Sequence, residues 1–213
     1  DQVNVLSTVQ VQSLTSAQVR ALDTVDVANM TTDQVAAIAS AAVSGLSSDQ
    51  VKALSSDQFK AMAANQLRVL SATQIKGVDT VDLAQLSSTQ VQALSTAAVA
   101  GLTTSQVASL STDIIQALNT AQVSSLTTAQ VEALTTLQVS NLTTSQIAAL
   151  TTAQVSAMQT EDLVKLNASQ VAAFTARSIT AMNTAQIAAF TTAQIDTLNT
   201  TQVLALSTAQ VAA

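Results

Sequence analysis

Apolar and polar positions along the chain recur on a period of eight from residue 3 to residue 211, without insertion or deletion. When the octad is numbered from the Leu of "LTTAQVEA" (126–133), slot 1 falls at 6, 14, 22 and every eighth residue to 206. Its 26 occupants are all apolar, mostly Leu, with Met30, Ile38, Met62, Val78, Met158, Phe174, Met182 and Phe190 as variants. Slot 6, from Val3 to Val211, holds 27 residues that are Val, Ile, Leu or Phe59. An unbroken register of this length puts each unit in an equivalent place in space, as in a solenoid.

The polar slots predict what each unit forms. Slot 2 is Ser, Thr, Asp or Asn in 23 of 26 octads, the exceptions being Ala39, Ala63 and Gln159. Those are the residues preferred at a helix N-cap. Slot 5, three residues on, is Gln in 20 of 27 octads, and Ser/Thr-x-x-Gln is a capping box. Slots 1 and 6 then fall at N′ and N4, the two members of a hydrophobic staple. Slot 8 is mostly Ala or Ser and holds Gly45, Gly77, Gly101, Asn29 and Asn141. These residues tolerate a left-handed helix closure, and a small side chain also lets backbones approach closely. Asp33, Asp49, Asp57, Asp113 and Glu161 lie in the first turn, while Arg20, Lys52, Lys60, Arg68 and Lys76 lie near its end. Both placements suit the helix dipole.

The fold class expected is therefore all-α, a solenoid of very short capped helices, one per octad. A single long helix fits poorly, because eight residues at about 100° each overshoot two turns by about 80° and the apolar slots would spiral. A β-solenoid is the alternative, favoured by Val, Ile and Thr and opposed by abundant Ala and scarce corner residues. A helix of one or two turns is unstable alone, so coils must stack slots 1 and 6 into a core. About three octads per coil, or 24 residues, is expected, with two per coil as the runner-up. The whole of 1–213 reads as one octapeptide-repeat solenoid that opens and closes mid-octad, as a segment of a longer array would.

A longer duplication overlies the octads. Residues 23–50 align with 79–106, and a weaker copy begins at "QTEDLVKL" (159–166). Each copy places Asp in slot 5 (Asp26, Asp82, Asp162) and, two octads later, Ala42, Ala98 or Ser178. Block duplication accounts for this without invoking a ligand.

Composition narrows the chemistry. Of 213 residues 48% are hydrophobic, yet the only aromatics are three Phe, and His, Cys, Trp, Tyr and Pro are absent. Nucleophile–imidazole triads and thiolate or imidazole metal sites have no residues to build them, and no glycine-rich phosphate loop occurs. The expectation is no enzyme, no catalytic residue, no metal site and no cofactor. A net charge of −6, seven basic residues and no stacking platform argue against nucleic acid. Ser, Thr or Gln interrupts every apolar run, which argues against a membrane span, and no signal peptide is visible. Slot 3 is Ser or Thr in 22 of 26 octads, so stacked coils would align hydroxyl rows.

"MTTDQVAAIAS" (30–40) is similar to the opening of the DNA-reading repeats of plant-pathogen TAL effectors, but the rest of that longer unit is absent. The whole chain resembles tandem LTTxQ(V/I)xAL octapeptide arrays of large secreted or cell-surface bacterial proteins, often adhesin-like or fibre-forming. The glycine-rich calcium nonapeptides that accompany many of them are not present here. The resemblance implies an extracellular or cell-surface structural protein, a rigid stalk, fibre or filament with end-to-end or lateral self-association. The alternative function is a binding module whose Ser/Thr/Gln-lined face contacts glycan, ice or a protein partner.

Overall fold

The computed structural model describes residues 3–213. Among them the chain forms 26 α-helices of four to six residues, preceded by a 3-10 turn at Val3–Val5, and no strand. The all-α reading holds, and the β-solenoid alternative does not.

Each helix starts where the capping grammar puts it. Thr143, with φ −70° and ψ 158°, stands outside the helix Thr144–Ala149, and its hydroxyl accepts the Gln146 N–H. The Gln146 side chain in turn accepts the Thr143 N–H at 2.9 Å. The first helical bond runs from the Ile147 N–H to the Thr143 carbonyl at 2.9 Å. The end is set by slot 1. Leu150 turns extended (φ −60°, ψ 132°), and its N–H closes on the Ile147 carbonyl at 3.2 Å. Such a tight i→i−3 bond satisfies an orphan carbonyl without a left-handed residue.

The left-handed closure expected of Gly and Asn in slot 8 is therefore not used: no described residue has positive φ. The second reason for small residues, close approach, is the operative one. A Cβ at Gly101 would lie 2.5 Å from Ala72 Cα and 2.6 Å from Ala72 Cβ. One at Gly45 would run into the Ser16 carbonyl oxygen.

The chain divides into two compact units, Asp1–Leu110 and Ser111–Ala213. In the first, helices pack three apart in sequence, giving three stacks. One runs through Thr8–Gln12, Thr32–Ala37, Ser56–Ala61, Thr80–Leu83 and Thr104–Ser109; the second runs through Ser16–Ala21, Ser40–Val43, Ala64–Arg68 and Ser88–Ala93. The third adds Thr24–Asn29, Ser48–Lys52, Ala72–Ile75 and Thr96–Gly101 to the Val3–Val5 turn. The second unit repeats the plan, for example with Thr112–Ala117, Thr136–Ser140, Thr160–Leu163, Thr184–Ala189 and Thr208–Val211 in one stack. Each unit is thus a helical solenoid with three octads per coil; two per coil is not the arrangement. Slots 1 and 6 fill the axis. Slot 6 is the more deeply sealed, with Val43, Ile75, Val99, Val155 and Leu163 all at 0% exposure.

Candidate functional site

The feature built most consistently is the slot 5 Gln, which does more than close the capping box. Gln154 accepts the Thr151 N–H at 2.7 Å through Oε1. Its Nε2 donates to the carbonyls of Val123 at 2.8 Å and Leu126 at 2.7 Å. These lie 31 and 28 residues earlier, on the coil beneath. The same clip joins Gln58 to Val27 and Met30, Gln106 to Ile75 and Val78, and Gln186 to Val155 and Met158. One amide therefore starts its own helix and ties off the end of a helix in the preceding coil. The carbonyls it reaches are those a short helix leaves unpaired.

Residue spacing identifies the box but not the clip, although the sequence does carry a signal for it. A capping box takes Glu as readily as Gln, yet no slot 5 residue is Glu. Only the amide carries donors as well as an acceptor.

The Asp octads replace the clip with a different contact. Ser56 Oγ donates to Asp82 Oδ1, 26 residues on, and Thr136 hydrogen-bonds Asp162 across the same interval. Both carboxylates are buried. In these octads slot 2 (Asp79, Gln159) makes no side-chain cap, and Gln159 instead donates to the Glu132 carbonyl at 2.9 Å. Burial raises the Asp162 pKa above its ordinary 3.8, the Thr136 hydrogen bond opposes this, and nearby Glu161 adds to the rise. Asp26, the third such residue, is half-buried at the first coil.

The expected Ser/Thr/Gln face is reduced by these contacts. Interior slot 5 Gln side chains other than the half-buried Gln90 are buried, with Gln122, Gln130 and Gln154 each at 1% exposure. Slot 2 hydroxyls are taken up as caps. Slots 2 and 3 both remain at the surface; among the slot 3 hydroxyls, which are not engaged as caps, those of Thr104, Thr128, Thr144 and Thr184 are exposed and those of Thr112, Thr136 and Thr152 half-buried. Some outer hydroxyls also lace coils: Ser124 Oγ donates to the Ala149 carbonyl and Ser156 Oγ to that of Ala181, each at 2.7 Å.

Among the described residues no group of three or more His, Cys, Asp or Glu is placed to hold a metal ion. No helix among the described residues is long and apolar enough to cross a membrane. An apolar hollow of about 430 Å³ lies at the last coil between Phe190, Ile195, Leu198, Val203, Leu206 and Val211.

Capped octads stacked three to a coil and joined by buried amides define a tandem-repeat protein of the helical solenoid class. The family model of the ALTTAQ repeat matches it six times, at residues 3–40, 27–64, 77–112, 113–144, 155–192 and 179–213, and the chain belongs to this family. No curated protein matches the chain.

Proposed function

We propose that this protein is a structural element, a rigid spacer in an extracellular or cell-surface stalk or fibre, and that it is not an enzyme. The observation that carries the reading is the slot 5 clip. The most regular polar side chain of the repeat is buried and committed to joining coils, which leaves it unavailable to a substrate. A stack in which each coil grips its neighbour only lengthens as repeats are added. The octad register passes through 110 and 111 unbroken, which supports reading both units as parts of one array. Self-association, end to end or lateral, would extend such a spacer into a filament.

The test is small-angle X-ray scattering of the chain and of variants lengthened by 24-residue blocks. The maximum dimension is expected to grow by a constant step per block at constant cross-section. A radius of gyration that follows the cube root of mass would refute the spacer.

The second reading, a glycan-binding surface, is supported by the exposed slot 3 hydroxyls that make no cap. Saturable binding of the monomeric chain to a polysaccharide, lost on replacing those hydroxyls by Ala, would favour it.

A further inference from the structure

The two later blocks of the long duplication alter the clip in the same way. In the block at 79–106 slot 5 runs Asp82, Gln90, Ala98; in the weaker copy it runs Asp162, Gln170, Ser178. With three octads to a coil, each trio is the full set of slot 5 residues lying over the coil beneath. Each trio contains a single amide. By contrast Gln58, Gln66 and Gln74 all donate to carbonyls of the coil beneath, and so do Gln186, Gln194 and Gln202.

The substitutes do not replace what is lost. Ala98, at 0% exposure, has no polar side-chain group. The Ser178 hydroxyl lies 2.8 Å from that of Thr175 in its own octad. Asp82 and Asp162 each reach across through one hydroxyl, that of Ser56 and Thr136, and an ionised carboxylate offers no donor to a carbonyl. The remaining clips are those of Gln90, which is half-buried, and Gln170; they reach the Met62 carbonyl at 2.9 Å and the Leu142 carbonyl at 2.6 Å. The seam beneath 160–181 has two further bonds, from Ser156 to the Ala181 carbonyl and from Gln159 to that of Glu132. At the seam beneath 80–101, Asp79 stands where Gln159 does in the copy, and its carboxylate cannot donate. Gly101 over Ala72 keeps that seam closely packed, so it is shut but scarcely latched.

We propose that the long duplication encodes a yielding joint: the seams beneath 80–101 and 160–181 open ahead of the fully clipped seams, the former first. Opening leaves short helices without a neighbour on one face, and helices of this length do not persist alone. The placing of the blocks sets where the spacer gives under load or heat, while the clipped coils between them stay intact. This inference rests on the spacer reading and adds to it the places at which the spacer opens.

Native-state hydrogen exchange of the 213-residue chain in low urea, read by peptide mass spectrometry, is the test. Amides of 80–101 are expected to exchange at least about tenfold faster than those of 112–125, whose carbonyls hold the clips of Gln146 and Gln154. Those of 160–181 should fall between. Asp82→Gln restores an amide and should slow exchange in 80–101 by about tenfold. Copying the trio into an intact seam, with Gln58→Asp and Gln74→Ala, should bring 56–75 to the fast rate while circular dichroism still reports a folded helical chain. Uniform protection, a fastest segment elsewhere away from the chain ends, or an unchanged or faster rate in Asp82→Gln overturns the joint. A chain that passes the scattering test yet gives one of those results keeps the spacer and loses the joint. One that fails the scattering test but opens at these seams loses the spacer alone.

Discussion

Gln154 Nε2 lies 2.7 Å from the carbonyl oxygen of Leu126, while Oε1 of the same amide lies 2.7 Å from the N–H of Thr151. A single side chain thus bridges the end of one helix to the start of another in the next coil. Replacing it separates the two roles. Gln154→Ala should cost about 2–3 kcal/mol, because a buried N–H and two carbonyls lose their partner. Gln154→Glu keeps the acceptor for Thr151 but turns a carboxylate toward two carbonyls, so it should be the worse variant at pH 7. Its folded-state pKa would be raised above the usual ~4.3 of Glu. The extra penalty is therefore present at neutral pH and falls away as pH drops through that raised value. Urea unfolding at pH 7 and pH 4 checks both signs.

Asp162 supplies a natural version of the same conflict. Its pKa is raised by burial above 3.8, so folding favours the protonated acid. Stability from this group should increase as pH falls through the raised folded value toward 3.8. Asp162→Asn should stabilise the chain at pH 7 and flatten that pH dependence. Asp162→Gln, which restores the amide in reach of the Val131 and Leu134 carbonyls, should stabilise it further. Thermal melts between about pH 3.5 and 7 provide the comparison, and a stability of Asp162→Asn equal to or below wild type at pH 7 would refute the conflict.

Cap substitutions should have opposite signs at two places. Thr151 caps Gln154 in a complete box, so Thr151→Ala should lose about 1 kcal/mol. Ala39 precedes Ser40–Val43 with no side-chain cap, so Ala39→Ser should gain a similar amount. Urea midpoints measured in parallel test the pair.

Gly101→Ala inserts a methyl group against the Ala72 Cα and Cβ. Because the obstacle includes backbone, the coils must part, and overpacking of this kind costs about 1–3 kcal/mol. Loss of amide protection should centre on Ala72–Ile75 and Thr96–Gly101 in hydrogen exchange.

The local grammar is legible in the sequence because it is short-range. Slot 2 and slot 5 lie within one helical turn, so the pairing of Thr143 with Gln146 follows from spacing alone. Slots 1 and 6 are legible as core because apolar residues there have no other use at that regularity. The Gln154–Leu126 clip does not follow from spacing, since it depends on how far each octad turns the chain before the coils meet. The same gap explains slot 8: φ preference points to a helix closure at Gly101, while its contact is Ala72 in the coil beneath. The Asp residues of the long duplication are visible as a departure from Gln, but their partners Ser56 and Thr136 follow only from the stacking.

Three octads per coil is the central claim, and the absence of Cys makes it directly measurable with paired nitroxide labels. Ala129, Ser145, Ala153 and Glu161 are all exposed slot 4 positions of the second unit. Packed helices lie about 8–10 Å apart, within the range of dipolar broadening in continuous-wave electron paramagnetic resonance. Strong broadening is expected for A129C/A153C, three octads apart, and little for A129C/S145C or A129C/E161C, two and four octads apart. Strongest broadening in either of those two pairs would contradict the three-octad coil.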